Sequence, residues 1–150
     1  RVLSMASVAG YEWQQNLDRV KACLALSSFD QVEGFCAEWK VDPTFSYKLS
    51  KECLIAWNQQ MATRYPDNSI CFNTLSPGPV DTQLWREAHA ASGKRGEKFA
   101  ALSPRIPEPP EIANLFVMLC RDELTWINGA NLAIDGGLAA RLNCERFGLV

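Results

Sequence analysis

Short strand-like runs alternating with long stretches of helical period constrain this chain more than any other feature. Residues 1–6, 69–75 and 130–134 are short, largely apolar and bounded by small or turn residues, the pattern of buried strands. Between them the apolar positions recur every three or four residues. Trp13, Leu17, Val20 and Leu24, then Val32, Phe35, Cys36 and Trp39, predict two short helices hinged at Ser27-Ser28, with Ser28 or Asp30 available to cap the second and Asp42-Pro43 to stop it. The longest periodic stretch, residues 45–64, sets Leu49, Cys53, Ala56, Trp57 and Gln60 on one face. Strands alternating with helices predict an α/β fold with a parallel sheet of right-handed crossover units.

Turn chemistry marks the joints. Residues 65–68 and Asn128-Gly129 read as turns, and Ser76-Pro77-Gly78-Pro79 forces the chain out of the second strand. Asp81 or Thr82 can cap a short helix through Leu84, Trp85 and Ala88, and Pro109-Pro110 opens another with Ile112, Leu115, Phe116 and Leu119 inward. The Gly-, Lys- and Ser-rich residues 92–105 are expected to be mobile, and Asp135-Gly136-Gly137 leads into a tail.

Composition excludes several classes of function. With 47% apolar residues the chain can bury one core, so residues 1–150 are expected to form a single domain. A formal net charge of −2 and scattered basic residues argue against a nucleic-acid partner. No apolar run is long enough to span a membrane. Six cysteines without a CxxC pair, and His89 alone, form neither a metal pattern nor a disulfide framework, which predicts reduced core cysteines and a cytoplasmic protein.

The candidate chemistry centres on Tyr47 and Lys51. Four residues apart on a helix, their side chains share a face. A free phenol ionises only near pH ~10 and is a poor base at neutrality, and an ammonium one turn away favours the phenolate. Ser7, closing the first strand, can hydrogen-bond a substrate oxygen and stabilise charge developing on it. Tyr47 would then be the general acid in a reduction and the general base in an oxidation.

A strand ending in serine, a Tyr-x-x-x-Lys helix, a second strand with a Pro-Gly turn and a last strand before Asp-Gly-Gly, in that order, resemble the short-chain dehydrogenase/reductase family from Val2 to about Leu138. The resemblance implies the C-terminal part of a Rossmann-like doubly wound parallel sheet and a nicotinamide cofactor, NAD or NADP. It assigns Lys51 and Tyr47 to the ribose of that cofactor as well as to catalysis. Pro77 and Gly78 would make the turn against the nicotinamide, Val80 would present its backbone to the carboxamide, and Thr82 would offer a hydroxyl. Residues 83–107 correspond to the family's substrate-covering loop, with Leu84, Trp85 and Phe99 as candidate substrate contacts.

Two departures from the family pattern stand out. Tyr47 follows Ser7 by 40 positions where relatives need about a dozen, so residues 11–43 form a helical insertion. That insertion and the extended tail resemble the bacterial 3α-hydroxysteroid dehydrogenase/carbonyl reductases, in which the insert covers the helix most relatives use to dimerise. The second departure is the lack of a glycine-rich turn for the pyrophosphate, so the chain is expected to be the catalytic part of a longer protein. The expected function is NAD(P)(H)-dependent interconversion of a secondary alcohol and a carbonyl, on a small apolar or steroid-like molecule, in a homo-oligomer. The alternatives are an inactive family-derived binding or assembly module, and related chemistry such as epimerisation or dehalogenation on the same residues.

Overall fold

The computed structural model describes the chain except Pro66, Asn68, Pro104 and Val150, and except the side chains of Thr44, Ser92 and residues 94–100. Its centre is a parallel sheet in the order β1 (Val2–Met5), β2 (Phe72–Pro77), β3 (Asn131–Ile134). Val2 lies opposite Phe72 and Ser4 opposite Thr74; Thr74 lies opposite Asn131 and Ser76 opposite Ala133. All of β2 is buried, whereas β1 is only half-buried and Met5 is exposed. β1 is thus less enclosed than its apolar sequence suggests.

The helices are α1 (Leu17–Leu24), α2 (Gln31–Glu38), α3 (Pro43–Ala62), α4 (Gln83–Ala101), α5 (Pro109–Leu119) and α6 (Leu138–Phe147). α3 begins two residues earlier than its apolar period implies. Asp42 Oδ1 accepts the Phe45 amide at 2.9 Å and Pro43 sits in the first turn, so the dipeptide read as a stop is an N-terminal cap.

α3 is buried on two sides. One side carries Ile55, fully buried, and Asn58, whose Nδ2 donates to Ser4 Oγ on β1 at 3.0 Å. Trp57 meets the Phe72 ring edge-on, with centroids 6.0 Å apart. The other side, Leu49, Cys53 and Ala56, packs with Val20 and Phe35 from α1 and α2. Arg19 of α1 places its guanidinium 4.5 Å from the Phe45 ring centroid and 5.9 Å from that of Trp39. Burying apolar side chains at about 25 cal/mol per Å² is what holds α1 and α2 on α3. Trp57 and Gln60, expected on the core face, are exposed instead, because the sheet-facing stripe runs through Ile55 and Asn58.

Beside Phe72, the sheet face toward α3 carries a cluster of polar side chains. Asn131 Oδ1 accepts the Ser76 hydroxyl at 2.7 Å and the Thr74 hydroxyl at 2.9 Å. On the other face Asn73 donates to Ile127 O at 2.8 Å and accepts the Ala130 amide at 2.9 Å. These pairings satisfy polar groups that would otherwise cost about 1–3 kcal/mol each to bury.

One more expectation is corrected. The helix through Leu84, Trp85 and Ala88, expected to be short, continues to Ala101, favoured by Arg86, Glu87 and the alanines Ala88, Ala90 and Ala91. The helix breaks at Gly93, whose φ of 51° and ψ of −137° are non-helical. The tail after Gly137 is α6, and Asp135 starts it: Oδ1 accepts the Gly137 amide at 2.9 Å and Oδ2 the Ala139 amide at 2.7 Å. No disulfide joins the cysteines among the described residues; only Cys53 and Cys71 are buried, and Cys120 is exposed.

Candidate active site

The C-terminal ends of parallel strands are where open α/β sheets bind ligands. Here those ends carry Ser7 beyond β1, the Pro77-Gly78 turn at β2 and Asp135 beyond β3. Ser7 caps a 3-10 turn over Val8–Gly10, and its Oγ accepts the Ala9 amide at 3.2 Å, which fixes its orientation while leaving its proton free to donate.

The α3 helix brings Tyr47 and Lys51 to the same end. Tyr47 is 47% exposed, so its ring is open to a ligand. Lys51 Nζ donates to Met5 O at 3.0 Å and lies 5.6 Å from the Tyr47 ring centroid. One ammonium therefore bridges the strand end that leads to Ser7 and the helix that carries Tyr47. Sequence spacing implied the Tyr47–Lys51 pairing, but the bond to Met5 had no sequence signal.

Gly10 is the closest joint between the two parts. A Cβ there would stand 2.6 Å from Lys51 C, 2.7 Å from Lys51 O and 2.8 Å from the Glu52 amide nitrogen. Only a glycine admits this approach of loop to helix. Further along the same loop, Asn16 Nδ2 donates to Glu52 Oε1 at 2.7 Å, and Lys48 Nζ lies 3.5 Å from that oxygen. Glu52 is fully buried, a functional candidate that sequence reasoning missed, since a carboxylate on a helix normally reads as surface.

The Pro77-Gly78 turn packs on the end of β3. The Gly78 amide donates to Ile134 O at 3.1 Å, and a Cβ on Gly78 would lie 3.0 Å from that of Asp135. Val80 is half-buried. Thr82 Oγ1 accepts the Trp85 amide at 3.1 Å and so caps α4, while the Asp81 amide donates to Pro107 O at 2.9 Å. Among the candidate substrate contacts, Leu84 is 65% exposed and Trp85 stacks on His89 with centroids 4.9 Å apart. The Phe99 side chain lies outside the described residues.

These groups suit the nicotinamide-ribose end of a dinucleotide. An ammonium has three N–H donors, of which Met5 takes one and two remain for ribose hydroxyls. Thr82 keeps its hydroxyl proton to donate, among the described residues. An open polar pocket of about 460 Å³, lined by Tyr11, Glu12, Gln15, Gln59, Asn131 and Arg146 among others, includes none of Ser7, Tyr47 and Lys51. The chemistry of the donors, rather than the size of that hollow, identifies the candidate site.

Residues 24–139 match the family described as Enoyl-(Acyl carrier protein) reductase. The chain is 33% identical over 143 residues to the coniferyl-alcohol dehydrogenase of Pseudomonas sp. (strain HR199), a match covering 93% of this chain and 55% of that one. It is 29% identical over 105 residues to the 3-alpha-hydroxysteroid dehydrogenase/carbonyl reductase of Comamonas testosteroni, covering 68% and 40%. The chain thus spans about half the length of the curated relatives it matches. In fold it resembles the 3-alpha-hydroxysteroid dehydrogenase from Pseudomonas sp. B-0831, solved with NADH, at a TM-score of 0.76 and 24% identity over 95% of this chain and 57% of that one. A 4-hydroxyisoleucine dehydrogenase complexed with NADH aligns at a TM-score of 0.61 and 25% identity, over 92% of this chain and 46% of that one. With its family match across most of the chain and its sheet shared with these structures, the chain belongs to the short-chain dehydrogenase/reductase family.

Proposed function

We propose that the protein carrying this chain is an NAD(P)(H)-dependent oxidoreductase that interconverts an apolar alcohol and its carbonyl. The observation that carries the reading is the Lys51 ammonium, bonded to Met5 O and 5.6 Å from the Tyr47 ring, at the mouth of the sheet. A bound nicotinamide would supply hydride transfer to or from the carbinol carbon. In the oxidising direction Tyr47 takes the hydroxyl proton, and in the reducing direction it returns one to the carbonyl oxygen. Ser7 donates a hydrogen bond to that oxygen, and Lys51 offsets negative charge on the phenol while its remaining donors hold the ribose. Pro77, Gly78, Val80 and Thr82 border the carboxamide side, and Leu84 and Trp85 belong to the substrate cover.

The likeness to the coniferyl-alcohol dehydrogenase runs through 93% of the chain, against 68% for the hydroxysteroid enzyme. Aromatic alcohols such as coniferyl alcohol therefore lead the substrate panel, with hydroxysteroids second. Six cysteines with no disulfide suit a reducing compartment, the cytoplasm, and no helix among the described residues is long and apolar enough to cross a membrane. The experiment is steady-state turnover by the natural polypeptide that contains these residues, with NAD and NADP, on both alcohol classes. Tyr47→Phe should abolish turnover and leave the fold, followed by circular dichroism, almost unchanged. Retained turnover in that variant ends the assignment.

A further inference from the structure

Beside the packing of Trp13 on the α3 core, three contacts hold the segment that carries Ser7 to α3, and all three lie on one dipeptide, Lys51-Glu52. At its start Lys51 Nζ holds Met5 O at 3.0 Å. In its middle Gly10 rests on the Lys51–Glu52 peptide, and at its end Asn16 Nδ2 donates to Glu52 Oε1 at 2.7 Å. The first two contacts follow from residues already assigned to the site. The third depends on a carboxylate that stability alone does not explain.

Glu52 has no exposed side-chain surface, and its Oε2 has no hydrogen-bond partner among the described residues. Lys48 Nζ is 3.5 Å away and 37% exposed, so it compensates the carboxylate only partly. Buried ion pairs of this quality are commonly matched or bettered by an apolar residue of the same volume. A buried group left partly unsatisfied calls for another role. What Glu52 supplies is a fixed acceptor for Asn16, immediately next in the chain to Lys51.

We propose that Glu52 is a positioning residue that sets Ser7 against Tyr47 by anchoring Asn16, and with it the far end of the Ser7 segment. The inference rests on the reading of Ser7, Tyr47 and Lys51 given above. It adds that the start of the 11–43 segment belongs to the reactive frame. Ser7 Oγ takes its direction from the Ala9 amide, and the Gly10 amide bonds Ser7 O at 2.9 Å, so the serine follows the backbone of this turn. Release of Asn16 removes the polar anchor on the far side of that turn and leaves the bond at Met5, the seat of Gly10, the packing of Trp13 and the Glu12–Arg146 pair.

Three variants separate positioning from simple support. Glu52→Met keeps the volume and removes the acceptor; Glu52→Gln keeps an acceptor for Asn16; Asn16→Asp sets two carboxylates against each other. In the natural polypeptide, Glu52→Met should accelerate hydrogen exchange at the Ala9 and Gly10 amides and lower kcat about tenfold or more, with nucleotide KM unchanged and Tm no lower. Glu52→Gln should restore most of both. Should Glu52→Met fail to fold, Asn16→Asp supplies the same two readouts from the half-buried side of the contact. Parental exchange and parental kcat in Glu52→Met would overturn the inference, as would a fall in kcat that tracks Tm and is not rescued by Gln. If Tyr47→Phe also keeps turnover, the function itself falls; if only the Glu52 variants do, the positioning role falls alone.

Discussion

Replacing Gly10 by alanine tests how tightly the Ser7 loop is seated on α3. The new methyl carbon would lie 2.6–2.8 Å from three backbone atoms of Lys51 and Glu52. Carbon contacts are comfortable at about 3.5–4.0 Å, so one side must give way by about 1 Å. α3 cannot yield, because Ile55 on one side and Leu49, Cys53 and Ala56 on the other are buried. The loop must move, taking Ser7, three residues upstream, with it. Overpacking of this kind costs about 1–3 kcal/mol, which lowers Tm by roughly 2–4 °C per kcal/mol in a chain of this size. A displacement of about 1 Å at a reacting group costs roughly a hundredfold in rate. Thermal unfolding followed by circular dichroism, with kcat/KM on the best substrate of the panel, reads both effects. An alanine variant with the parent's Tm and kcat/KM would show that the close approach does not seat the serine.

Asp135→Ala removes the acceptor for the Gly137 and Ala139 amides at the start of α6 and should cost about 1 kcal/mol, with the loss seen as faster exchange at Ala139. The hydrogen-bonded Arg105 guanidinium, helped by the Glu108 amide, lowers the Glu111 carboxyl to about 2 from an ordinary 4.5. That contribution to stability is complete above pH 4.5 and is lost as pH falls through 2, so a Glu111 side-chain resonance still ionised at pH 3 is expected, and one titrating near 4.5 would contradict it. Burial, with the Cys23 thiol alongside, pushes the Cys53 thiol up. Iodoacetamide at pH 8 should therefore label exposed Cys120 well before Cys53 in the native protein, read by peptide mass mapping.

Much of this architecture is legible from period and punctuation. The three strands lie where the apolar runs predict them to within three residues, and the break at Ser27-Ser28 separates α1 from α2. What the pattern hid has physical causes. Glu52 and Asn58 are buried on a helix whose second face meets the sheet, and a single-stripe reading of residues 45–64 assigns both to solvent. Hydroxyls and amides in β2 read as neutral or exposed, yet Thr74, Ser76 and Asn73 are buried because each finds a partner on or near β3. At the candidate site the Tyr47–Lys51 spacing is local and therefore visible. The bond from Lys51 to Met5 spans 46 positions, and the seat of Gly10 on α3 spans about as many, so both exist only once the chain has closed.

The Asn131 amide that collects the Thr74 and Ser76 hydroxyls has a consequence for how the sheet assembles. Side chains alternate across a strand, so sliding β3 by one residue along β2 would carry Asn131 to the opposite face and strand both hydroxyls among apolar atoms. Apolar strands tolerate such slips because leucine and isoleucine are nearly equivalent to their neighbours; this rung does not. A mispaired sheet here would carry several unsatisfied polar groups and would be rejected during folding, before the loops at its end are ever ordered.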